Sequence, residues 1–113
     1  MNLKHHKTLT LEKWSAFSFG KQILMIGNEL NRAKNLIPRE SFQEVKLCYE
    51  RALELLYLTI ACSKKYSQIF ELERLKEVVA GLYIQKVPSL EKNNLVFRLL
   101  ISLSSESYSL LHP

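Results

Sequence analysis

Apolar residues recur through the first third of the chain at intervals of three and four: Ala16, Phe19, Ile23, Ile26, Leu30, Ala33 and Ile37. That spacing lines side chains along one stripe of an α-helix, the stripe that buries against neighbouring helices. Thr10 is a suitable N-cap and Glu12 suits the positive end of the helix dipole, so the pattern predicts a helix over 11–37. Pro38 ends it, because the residue before a proline is pushed out of the α region. Gly20 and Gly27 sit beside the seam, each costing about 1 kcal/mol against alanine unless another segment approaches closely there. Gln22, Glu29 and Arg32 read as a polar row at the rim of the core.

The same period continues downstream. Val45, Cys48, Ala52, Leu55, Thr59 and Cys62 form a stripe that predicts a helix over 40–63, with Ser41 and Glu44 spaced as a capping box. Ile69, Leu72, Leu75, Val79 and Leu82 mark a third helix over 68–85, for which Ser67 is the cap. Val96, Leu99, Leu100, Leu103 and Leu110 mark a fourth over 89–110, capped by Ser89. Its second half is rich in serine, which suits either tight packing or fraying. Short joints force sequential helices to lie antiparallel. The expected fold is all-α, an up-down-up-down antiparallel four-helix bundle in one domain over 1–113. Residues 1–9 are expected to be a flexible basic tail.

Charge sharpens this picture. The net charge is +5, and the whole excess falls in residues 1–39, where seven lysines and arginines face only Glu12 and Glu29. A localised basic surface attracts polyanions or an acidic protein face. Lys13, Lys21, Arg32, Lys34 and Arg39 are the candidate nucleic-acid-binding residues. Trp14 and Phe17 lie among them, either as core or as an exposed anchor for a partner. The start of the chain lacks the apolar run of a signal peptide, and Leu53 to Ala61 is too short and too charged to span a membrane. The chain therefore reads as cytoplasmic, with no membrane partner.

Chemistry is thinly represented. There is no aspartate, and no HExxH, CxxC or clustered-glycine loop is present, so no metal site, catalytic residue or cofactor is expected. Cys48 and Cys62, roughly 21 Å apart along one helix, cannot pair there and read as small core residues. All three histidines lie at the chain ends, away from either thiol. Paired glutamates across helices, such as Glu29 with Glu50 or Glu54, would be the remaining route to catalysis, and an enzyme is not expected.

The first joint, Leu36-Ile37-Pro38-Arg39 leading into a long apolar helix, resembles a group of small bacterial four-helix bundles. These are the proteins encoded in ribosomal-RNA intervening sequences and the accessory proteins of diversity-generating retroelements. The likeness covers roughly residues 14–84, including Leu72-Glu73-Arg74-Leu75, and lacks the asparagine- and glycine-containing stretch of the intervening-sequence proteins. It implies an oligomeric accessory that binds RNA or protein. The resulting expectation is a non-enzymatic, self-associating binding module contacting nucleic acid, RNA or DNA, or a ribonucleoprotein. The alternative is a protein–protein adaptor or chaperone-like bundle that holds a partner helix through Trp14 and Phe17.

Overall fold

Trp14 decides how the chain begins. On one straight helix its side chain would point about 180° away from that of Ile23, nine residues on. Both are nevertheless fully buried. The computed structural model, which describes residues 3–112, meets both demands by breaking the predicted 11–37 helix. The result is α1 (Leu11–Ser15) and α2 (Phe19–Leu36), joined by an elbow. Met1, Asn2 and Pro113 lie outside the described residues, and with them the extreme ends of the predicted tail and domain.

Four further helices follow: α3 (Phe42–Cys62), α4 (Tyr66–Ile84), α5 (Leu90–Ile101) and α6 (Ser105–Leu111). The described residues are all-helical, without a strand. The predicted fourth helix over 89–110 is thus two elements. Ser102 closes α5, and the Ser104 hydroxyl caps α6 by accepting the Ser107 N–H. The serine-rich stretch breaks the helix because serine side chains compete for backbone hydrogen bonds.

α2 packs against α3, α5 and α6; α3 also packs against α1 and α4, and α4 against α5. The core joins Ile23, Ile26, Leu30 and Ala33 to Val45, Ala52, Leu56, Leu72, Val79, Val96 and Leu100. Cys48 is buried among them, whereas Cys62 is only half-buried. Leu99 and Leu110, expected on the buried face, are 49% and 54% exposed. The two glycines of α2 admit side chains of α5 and α6. A Cβ on Gly20 would stand 2.6 Å from Glu106 Cβ, and one on Gly27 would stand 3.3 Å from Ile101 Cδ1.

Polar groups inside the core are matched. Asn93, fully buried, donates from Nδ2 to the Leu30 carbonyl at 3.0 Å and accepts the Tyr49 hydroxyl at 2.7 Å. It thereby ties α5 to α2 and α3. Gln22 and Glu29 are buried as well, not a rim row as the sequence suggests. The partners described below remove the desolvation cost that would keep them at the surface.

Helix ends follow local chemistry with some departures. Thr10 and Ser89 cap α1 and α5 as predicted. Ser41 makes no side-chain cap, and α4 starts at Tyr66 behind Lys65, ahead of the predicted Ser67. Ile37, which precedes Pro38, stays in the α region at φ −58°, ψ −49°. The stop comes instead from the amide that Pro38 lacks. The chain then reverses through Glu40 in the left-handed region at φ 57°.

The predicted flexible tail is pinned from Leu3 onward. The backbone N–H groups of His5 and His6 both donate to the Glu54 carboxylate, at 2.9 and 3.1 Å. His5 Nε2 lies 2.8 Å from Glu50, which also accepts the Tyr83 hydroxyl at 2.7 Å. Leu3 and Leu9 pack on the core. Among the described residues no helix is long and apolar enough to cross a membrane.

Candidate nucleic-acid interface

The elbow between α1 and α2 is held by three side chains. Trp14 Nε1 donates to Thr59 Oγ1 at 3.0 Å, and the Thr59 hydroxyl in turn donates to the Leu55 carbonyl. Gln22 Nε2, buried on α2, donates back to the Trp14 carbonyl at 2.9 Å. Ser18 then starts α2 by accepting the Lys21 N–H. A buried tryptophan is worth about 3–5 kcal/mol on truncation, so α1 is anchored by its one inward residue. This corrects the reading of Trp14 as an exposed anchor: it is core.

With Trp14 turned in, Phe17 is turned out. It is 40% exposed and meets Trp14 edge-on, ring centroids 5.9 Å apart. Beside it runs the joint from α3 to α4, where Ser63 is extended and its hydroxyl donates to Gln68 Oε1. Elbow and joint together wall a cleft of about 520 Å³, lined by Phe17, Phe19, Gln22, Lys64, Lys65 and Gln68 among others. Among the described residues no carboxylate lines it. Lys64 and Lys65 are exposed, and among the described residues neither is in an ion pair.

This combination has a definite chemistry. Aromatic faces stack on unpaired bases, adjacent ammonium groups take phosphates, and the Gln68 amide nitrogen, left free by the bond to its oxygen, is a hydrogen-bond donor.

The five cations singled out in the sequence are dispersed. Lys13 turns its ammonium to the Thr8 carbonyl at 3.3 Å. Lys21 is exposed in the first turn of α2, close in sequence to the elbow. Lys34 follows Arg32 by two residues and so points about 200° round the helix from it. Arg39 lies in the turn after α2. Lys64 and Lys65 give no charge signal in the sequence, because four acidic residues balance the four basic ones of residues 40–66. Acidic Glu50 and Glu54 of that segment are engaged by the N-terminal residues, which leaves the lysine pair uncompensated locally.

Arg32 belongs to a different cluster. Its Nη1 lies 3.2 Å from the buried Glu29 carboxylate, which also accepts Arg51 Nε at 3.0 Å. Arg51 Nη2 reaches Cys48 Sγ at 3.4 Å. Burial pushes the Cys48 thiol above its ordinary value, outweighing the pull of Arg51, so it stays protonated and unreactive near neutrality. Burial works against the Arg51 charge, but Glu29 overcomes it and holds the guanidinium above its ordinary value. The adjoining cleft is lined by Glu44 as well as the two arginines, and among the described residues by no aromatic ring. It is an ion-pair network that joins α2 to α3. Among the described residues no three of histidine, cysteine and glutamate come together as a metal site.

The chain matches none of the protein-family models, curated proteins or solved structures with which it was compared.

Proposed function

We propose that the protein is a non-enzymatic nucleic-acid-binding module, in which the elbow cleft takes a single-stranded segment. Unpaired bases stack on Phe17 and Phe19, and the flanking phosphates lie on Lys64 and Lys65, with Lys21 extending the path. The observation that carries this reading is an exposed phenylalanine beside two lysines that, among the described residues, are unpaired, in one concave cleft that no described carboxylate lines. The scaffold is an up-down-up-down antiparallel bundle of α2, α3, α4 and α5. Their cyclic packing order and short joints support that description. The likeness of the Leu36–Arg39 joint to ribosomal-RNA-associated and retroelement accessory bundles points to RNA or a ribonucleoprotein as the setting.

Fluorescence anisotropy of labelled single-stranded RNA and DNA, read across a salt series, tests the proposal. Binding should weaken with salt, because each neutralised phosphate releases condensed counterions. Phe17→Ala should cost about 1–3 kcal/mol of affinity at every salt concentration. Lys64→Glu with Lys65→Glu should flatten the salt slope, and Lys34→Glu should leave both readouts nearly unchanged. Binding that ignores Phe17 and the lysine pair, or no binding at all, would remove this reading in favour of a protein adaptor.

A further inference from the structure

The outward face of α4 exposes large apolar side chains. Tyr66 is 84% exposed, Phe70 54% and Ile84 78%, on a helix whose opposite face is buried through Leu72, Leu75, Val79 and Leu82. Tyr66, Phe70, Arg74, Glu77, Gly81 and Ile84 recur on this outer face at intervals of three and four. Phe70 and Gly81, eleven residues apart, are offset by only about 20° around the helix. Nothing among the described residues requires the glycine at Gly81: a Cβ there would meet none of them within 4 Å. A glycine inside a helix is nevertheless costly, so its bare backbone calls for an occupant from outside.

The stripe is complementary to itself. Placed antiparallel to its own copy about a two-fold axis between Leu75 and Lys76, α4 sets Phe70 opposite Gly81 and Arg74 opposite Glu77. Tyr66 and Ile84 meet at each end. The large ring falls on the bare backbone, and the cation falls on the anion, twice each by symmetry. Within one chain the Arg74 guanidinium lies over the Phe70 ring, and neither Arg74 nor Glu77 is in an ion pair among the described residues. Any other register would leave Phe70 against a side chain instead of the bare Gly81 backbone.

We infer that α4 is a homodimer interface, an antiparallel isologous helix pair in which Phe70 packs on Gly81 of a second copy and Arg74 pairs with its Glu77. A closed two-fold contact of this kind uses one patch on both subunits. The surface is separate from the elbow cleft, and the inference does not depend on that cleft binding nucleic acid.

Sedimentation equilibrium on the full chain, compared with charge variants of these exposed positions, tests it. Arg74→Glu converts two attractive pairs into two repulsive ones and should raise the dissociation constant about tenfold. Adding Glu77→Arg reverses both charges and should restore the wild-type constant. Gly81→Ala should raise the melting temperature of the dilute monomer through helix propensity while weakening the dimer, two effects of opposite sign. A wild-type chain that stays monomeric at the highest soluble concentration overturns the inference. So does a dimer indifferent to Arg74→Glu, or one that Arg74→Glu disrupts and the double reversal fails to restore.

Discussion

Asn93 gives the sharpest test of how the core is held. It is fully buried, joins α5 to the Leu30 carbonyl of α2, and is the acceptor for the Tyr49 hydroxyl of α3, which is 1% exposed. Asn93→Leu keeps the volume but removes both bonds. The Leu30 carbonyl retains its partner within α2, whereas the Tyr49 hydroxyl is stranded without solvent. Two lost hydrogen bonds at about 1 kcal/mol each, with the desolvation cost of one orphaned hydroxyl at about 1–3 kcal/mol, are partly offset by the greater apolarity of leucine. The net loss should be about 3 kcal/mol. Tyr49→Phe alone strands only the Asn93 oxygen and should cost about 1–2 kcal/mol. The double variant leaves no orphan, so it should recover about 2 kcal/mol relative to Asn93→Leu. Urea denaturation measures all four proteins. With a slope of about 1–1.5 kcal/mol/M for a chain of this size, Asn93→Leu should lower the midpoint by about 2–3 M. Additive losses, with the double variant the least stable of the four, would refute the coupling of Asn93 and Tyr49.

The N-terminal latch should open in acid. Hydrogen bonds from His5 first, then Tyr83 and Lys4, depress the Glu50 carboxyl from its ordinary 4.5 to about 2. Its contribution is therefore complete above the unfolded value and is lost as pH falls through the folded one. Amide protection at residues 3–9, corrected for the intrinsic pH dependence of exchange, should fall between pH 4.5 and 2, ahead of α2 and α3, and Glu50→Gln combined with Glu54→Gln should produce the same release at neutral pH. Glu40→Gly should stabilise the protein by about 0.5–1 kcal/mol in thermal denaturation, since glycine relieves the left-handed backbone at that turn. Gly20→Ala gains about 1 kcal/mol of helix propensity. Its Cβ nevertheless collides with Glu106 Cβ, so exchange should show α6 displaced from α2.

The apolar period made the helical content, and most of the residues facing the core, legible in the sequence. The stripe Val45, Cys48, Ala52, Leu55 and Thr59 is buried as the spacing implies. Two helices are nevertheless broken where the period alone would run through. A heptad count weighs Ala16 and Phe19 as seam residues and ignores that Trp14, far larger, sits on the opposite side of the same helix. The bigger side chain wins, and Ser18 supplies the cap that makes the elbow. Ser104 does likewise between α5 and α6. Asn93 and Glu29 were not legible as core because their burial depends on partners in other helices. Of the candidate interface, Phe17 was visible in sequence. The lysine pair was hidden by glutamates that pair elsewhere once the chain folds.

Amide NMR spectra recorded during titration with a short single-stranded oligonucleotide locate the binding surface residue by residue. Binding in the elbow cleft predicts that resonances of residues 15–22 and 62–68 shift together, and that Phe17→Ala, without unfolding the protein, needs more oligonucleotide to reach the same shifts, in keeping with a loss of about 1–3 kcal/mol. Shifts confined to Arg32, Lys34 and Arg39, shifts across α5 and α6, or an unchanged spectrum would contradict it.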